Sequence, residues 1–160
     1  MKKSYSYALH TNHELEMMLA GSKPFAAFSH ERVDGFEKVD ALSNQDFETH
    51  VQNGTLSEHV RTFETRRSDG SPLTIDYYLY AVRGEEWRVN AYALLLELQY
   101  RGAWCSQLEW LEGKLLGYTD EQNLYHIART FPEDRRDGPA CISHAAHRIV
   151  QSRDGRGDQD

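Results

Sequence analysis

From Leu73 to Val82 two sets of side chains alternate. Leu73, Ile75, Tyr77, Leu79 and Ala81 fall on one side of an extended chain, and Thr74, Asp76, Tyr78, Tyr80 and Val82 on the other. The stretch from Glu58 to Arg67 is rich in Val, Thr, Phe and Arg, and the turn cluster Ser68-Asp69-Gly70-Ser71-Pro72 separates it from the first. The pattern predicts a β-hairpin, the best-defined strand signal in the chain. After Gly84 the period changes from two to about 3.6. Trp87, Ala91, Leu94, Leu95 and Leu98 recur at helical spacing as far as Gly102, with Glu85 and Glu86 at the positive end of the helix dipole. This predicts a central core helix.

Weaker patterns flank these elements. A strand through Tyr5, Tyr7 and Leu9 is expected first. Thr11-Asn12-His13-Glu14 has the form of a capping box, opening a helix through Leu15, Met17, Met18 and Leu19 that Gly21 stops. Phe25-Ala26-Ala27-Phe28 reads as a short buried strand after Lys23-Pro24. Ser43-Asn44-Gln45-Asp46 resembles a helix start, with Phe47 and Val51 one turn apart. Two more capping boxes, Ser106 to Glu109 and Thr119 to Gln122, open helices carrying Leu108, Leu111 and Leu115, then Leu124, Ile127 and Ala128. Beyond Phe131-Pro132 the chain turns Arg-, Asp- and Gly-rich, with a short helix expected around 142–150 and disorder over the last ten residues. The expected fold is α+β: a small antiparallel or mixed sheet centred on the hairpin, packed on one face by helices, with a C-terminal helical pair. One domain over 1–131 and a polar extension over 132–160 account for the length.

Charge and cysteine content narrow the function classes. The chain has 18 Lys and Arg against 25 Asp and Glu, a net charge of -7, and the excess is spread along it. That balance excludes a general nucleic-acid surface and attachment to anionic lipid, both of which need clustered cations. No apolar run approaches a membrane span. With two cysteines, Cys105 and Cys141, and an N-terminus lacking an apolar leader core, free thiols in a reducing cytoplasm are expected.

Candidate chemistry is sparse. Cys141, His144 and His147 form C-x2-H-x2-H with ligand types that suit zinc, and His10 and His13 are three apart; no second cluster has zinc-site spacing, so incidental residues in polar segments explain them better. Cys105 reads as a buried structural cysteine. Glu85-Glu86 and Asp120-Glu121 fit first helical turns. No P-loop, G-x-G-x-x-G, G-x-S-x-G or H-E-x-x-H pattern is present, so no catalytic residue, metal site or cofactor is expected.

The stretch from Leu115 to Tyr125 is similar to the turn and second helix of an AraC-type helix-turn-helix, a resemblance that would imply DNA recognition. Between Ser106 and Phe131, however, Lys114 and Arg129 stand against Glu109, Glu112, Asp120 and Glu121, and no Arg occupies the base-facing end. A plain αα-hairpin is expected there.

What remains is a surface. Hairpin pairing would put Glu64, Arg66, Asp76, Tyr78 and Tyr80 on one face, a mixture of rings and charges of the kind that recognises proteins. The leading expectation is a non-catalytic cytoplasmic protein-binding module of inhibitor, immunity or adaptor type. Its partner would be another protein, with a basic one favoured by the acidic balance; neither nucleic acid nor membrane is expected, and oligomeric state is left open. The alternative is a small-molecule enzyme or ligand-binding domain with a pocket between sheet and helices. A concave cavity lined by converging His, Tyr and carboxylate groups would mark it.

Overall fold

A computed structural model of the chain describes Tyr7, residues 10–32 and residues 45–132. The alternating stretch becomes β3 (Pro72–Val82), joined by the expected turn to β2 (Leu56–Arg66). The buried segment after Pro24 becomes β1 (Phe25–Glu31), which takes the free edge of β3. The sheet has the order β1-β3-β2 and is antiparallel throughout, with Ala27 opposite Leu79 and Val60 opposite Tyr78. Five helices complete the described chain: α1 (Glu14–Leu19), α2 (Phe47–Gln52), α3 (Trp87–Tyr100), α4 (Ser106–Leu115) and α5 (Asp120–Thr130). The α+β architecture and the C-terminal helical pair are as the sequence predicts.

Because β3 is central, both sets of its alternating side chains are covered over part of its length. On one face Phe25, Leu79 and Ala81 pack against Val89, Tyr92, Leu95 and Leu96 of α3 and Leu115 of α4. Full burial of each large side chain contributes about 1.5–3 kcal/mol. On the other face Ala26, Phe28, Leu56 and Tyr80 meet Met18 of α1 and Phe47 of α2. The Phe47 and Tyr80 rings lie 4.3 Å apart between centroids. The two short helices thus cap the end of the sheet face opposite α3.

Several local expectations are corrected. Trp87 and Leu94, expected in the core, are 56% and 57% exposed, whereas Val89, Tyr92, Leu95 and Leu96 are buried. The reason is that α3 is apolar on two sides: Trp87, Ala91, Leu94 and Leu98 form one stripe, and Val89, Tyr92 and Leu96 form another on the opposite side. Leu111 and Leu124 are likewise exposed. Thr11 does not cap α1; the N-cap is His13, without a side-chain bond, and the Leu15 N–H instead donates to Gln45 Oε1 (2.9 Å). The Ser106–Glu109 capping box is absent as well, since Ser106 is already helical and Glu109 turns elsewhere. The Thr119–Gln122 box is present in both directions.

Cys105 is disulfide-bonded, which overturns the expectation of free thiols; the sequence's other cysteine, Cys141, is outside the described residues. Also outside them are Tyr5 and Leu9 of the expected first strand, His144 and His147, the helix expected at 142–150 and the final ten residues. No helix of the described residues is long and apolar enough to cross a membrane.

Candidate functional site in the helical hairpin

The hairpin face is a poorer site than its sequence suggests. Glu64 and Arg66 are exposed and Tyr78 is half-buried, but Asp76 and Tyr80 are interior residues at 5% and 3% exposure. The Asp76 carboxylate accepts from Arg32 Nε (2.6 Å), Arg32 Nη2 (2.9 Å) and Thr62 Oγ1 (2.6 Å). The Arg32 bond holds its carboxyl below the usual range, against the opposing effect of burial. The Tyr80 hydroxyl donates to Glu58 (2.6 Å), and burial foremost, with Glu58 beside it, pushes its ionisation up. Both side chains are therefore committed to internal partners. Pairing does bring Asp76, Tyr78 and Tyr80 onto the face of Thr62, Val60 and Glu58, as the alternation predicts.

A different group converges at the α4–α5 hairpin. The turn between these helices needs Gly117, whose φ is +89° and where a Cβ would meet Pro24 Cδ at 2.7 Å. Cations close the end of α4: Lys23 Nζ donates to the Leu116 carbonyl (2.7 Å), and Arg88 Nη1 to those of Lys114 (3.1 Å) and Leu115 (3.2 Å). Lys23 is 2% exposed and also meets His10 Nδ1 at 3.1 Å. The His10 ring stacks on Tyr118 at 3.9 Å. Burial lowers both groups, Lys23 to about 8 and His10 to about 4. The turn and the residues before α1 are thereby locked together.

Inside this corner lies a cavity of about 190 Å³, lined by Tyr7, Glu109, Glu112, Gly113, Leu116, Tyr118, Asn123 and His126. Glu109 and Glu112 are one turn apart on α4 and both line the cavity. Glu109 accepts from Trp104 Nε1 (2.7 Å) and lies 2.7 Å from His126 Nε2, a carboxylate–imidazole pair. Glu112 accepts from the Tyr92 hydroxyl (2.8 Å). Burial raises the Glu112 carboxyl above the ordinary range; the Tyr92 bond opposes that shift and the nearby Glu109 charge adds to it. Among the described residues no Lys or Arg pairs with either glutamate. Asn123 is 4% exposed, and its Nδ2 has no hydrogen-bond partner among the described residues.

Sequence reasoning missed this group for a physical reason. Glu109 is at a position that suits helix capping, and Asn123 interrupts an apolar period without marking a site. Gly113, in mid-helix, was the one available signal, because glycine there costs about 1 kcal/mol against Ala and so points to a close approach. This cavity is at the helical hairpin, whereas the alternative reading of the sequence placed its pocket between sheet and helices. Among the described residues no group of three or more His, Cys, Asp or Glu could hold a metal ion. No protein-family model, curated protein or solved structure matches the chain.

Proposed function

We propose that this protein is a small-ligand-binding domain whose site is the α4–α5 cavity. The observation that carries the reading is Asn123: an amide donor buried without a partner, at the wall of a hollow that also collects two carboxylates, an imidazole and two Tyr rings. An unsatisfied buried donor costs about 1–3 kcal/mol, a cost that a ligand acceptor removes. At about 190 Å³ the cavity is below the usual 300–1,000 Å³ of drug-sized sites, so its ligand is a compact polar molecule. The test is an NMR titration of the folded protein with small amines, amides, sugars and acids. A saturable shift shared by Asn123, Glu112 and Tyr118 supports the reading, and a panel that moves none of them overturns it.

The protein-binding module is the second reading. It is favoured by Glu64 and Arg66, which border an open groove with Thr65, Pro72, Leu73 and Thr74, and by Val60, 43% exposed on the same face. A basic protein would suit the chain's acidic balance. A native pull-down that recovers no stoichiometric partner counts against it. A cytoplasmic residence belongs to this second reading, and the disulfide at Cys105 opposes it, since such bonds favour oxidising compartments. Thiol alkylation of protein taken from its native cells, without reductant, decides that question.

A further inference from the structure

We infer that the cavity takes a small organic cation that also carries an oxygen acceptor, such as an amino alcohol. This assignment rests on the ligand-site reading above and specifies it. Three features of the lining lead to it. Among the described residues the largely enclosed Glu112 carboxylate has a hydrogen bond only from the neutral Tyr92 hydroxyl, with His126 acting on it at longer range, and Glu109, a turn away, brings a second carboxylate, 2.7 Å from His126 Nε2. A buried carboxylate without a cation is costly, and a ligand ammonium between Glu112 and the cavity mouth offsets that cost. The walls come from Tyr7 and Tyr118, whose rings meet edge to face at 6.1 Å. Aromatic faces attract cations through their quadrupole and are indifferent or repulsive to anions.

The third feature sets the second half of the ligand. Asn123 Nδ2 is a donor and demands an acceptor, which a bare alkylammonium does not have. The amide lies against Gly113, since a Cβ there would fall 1.9 Å from Asn123 Oδ1 and 3.2 Å from Nδ2. Gly113 is one turn from Glu109 and next to Glu112, so donor and carboxylates share one small volume. An ammonium on the glutamates and a hydroxyl or carbonyl oxygen on Asn123 must therefore belong to a molecule only a few atoms long.

Ethanolamine, methylammonium, ethylene glycol and glycolate separate the possibilities, since they share size and differ in charge and acceptor. A ligand of so few atoms binds weakly, so the titration runs to about 20 mM by NMR. Ethanolamine is expected to bind with saturation, methylammonium several-fold more weakly, and the other two not at all. Glu112→Gln, which keeps an acceptor for Tyr92, is expected to weaken ethanolamine at least tenfold. Should that variant fail to fold, Asn123→Ala, which removes the donor, is the second, expected to bring ethanolamine down to the methylammonium level. Saturable binding of glycolate or ethylene glycol in place of the amines overturns the cation assignment and leaves the cavity reading intact. Silence from all four overturns the assignment, and the cavity reading falls only if the wider panel is silent too.

Discussion

The side chain of Asn123 rests on the backbone of Gly113, so closely that a methyl group at Gly113 would come within 1.9 Å of Asn123 Oδ1. The absence of a Cβ in the middle of α4 thus sets how near α5 can approach. Gly113→Ala is expected to destabilise the fold by about 1–3 kcal/mol through overpacking, despite alanine's better helix propensity. Combining it with Asn123→Ala removes the clashing atoms. Chemical denaturation should show the double variant more stable than the sum of the single effects by over about 0.5 kcal/mol. Additive effects would mean that the two residues do not touch.

Tyr80 tests the revised view of the hairpin face. As a core residue packed on Phe47 and Phe28, it should cost about 3–5 kcal/mol when changed to Ala. Glu64→Ala, on the same face but exposed, should change stability by no more than about 0.5 kcal/mol. Similar small losses for both would restore Tyr80 to the surface.

Asp76 is the charged member of that face and depends on Arg32 and Thr62. Asp76→Asn should cost about 1.5–3 kcal/mol, as expected for hydrogen bonds to a charged group. Its carboxyl is depressed in the fold, chiefly by the Arg32 bond, so its contribution is present above the ordinary value of 3.8 and is lost as the pH falls through the lower folded value. Acid unfolding followed by circular dichroism should therefore show less pH dependence in Asp76→Asn than in the parent chain.

How much of this was legible in the chain varies with the kind of interaction. The hairpin was, because alternation from Leu73 to Val82 is a local property, and the common face of Val60 and Tyr78 follows from it, while their direct pairing is set by the turn. The buried side of α3 was not, because two apolar stripes run along that helix and only the sheet chooses between them. The cap on α1 comes from Gln45, 30 residues from Leu15, and no local motif could have shown it. The cavity combines Tyr7, α4 and α5 in the same way. Glu109 has the spacing of a capping residue, yet its carboxylate serves Trp104 and His126. Spacing identified which stretches are helical and the start of α5, and tertiary packing decided how α1 and α4 begin and what their polar side chains do.

His10 gives a prediction about pH at the wall of the hairpin. Burial foremost, and then the Lys23 charge, hold its imidazole down to about 4 from 6.5, while Glu14 opposes the shift. The fold keeps His10 neutral where the unfolded chain would bind a proton. Its contribution to stability is complete above pH 6.5 and is lost as the pH falls to about 4. The NMR titration of the His10 ring should have its midpoint at about 4, and a midpoint at the ordinary 6.5 would show that the Lys23–His10–Tyr118 stack is open in solution.

The central claim is that the α4–α5 cavity receives a ligand. Intermolecular nuclear Overhauser effects from ethanolamine at saturation test it most directly. The methylene protons should give cross-peaks to the Tyr118 and Tyr7 rings and to the Asn123 side-chain amide protons. Cross-peaks to Val60 and Thr62 on the sheet face, with none in the cavity, would contradict it.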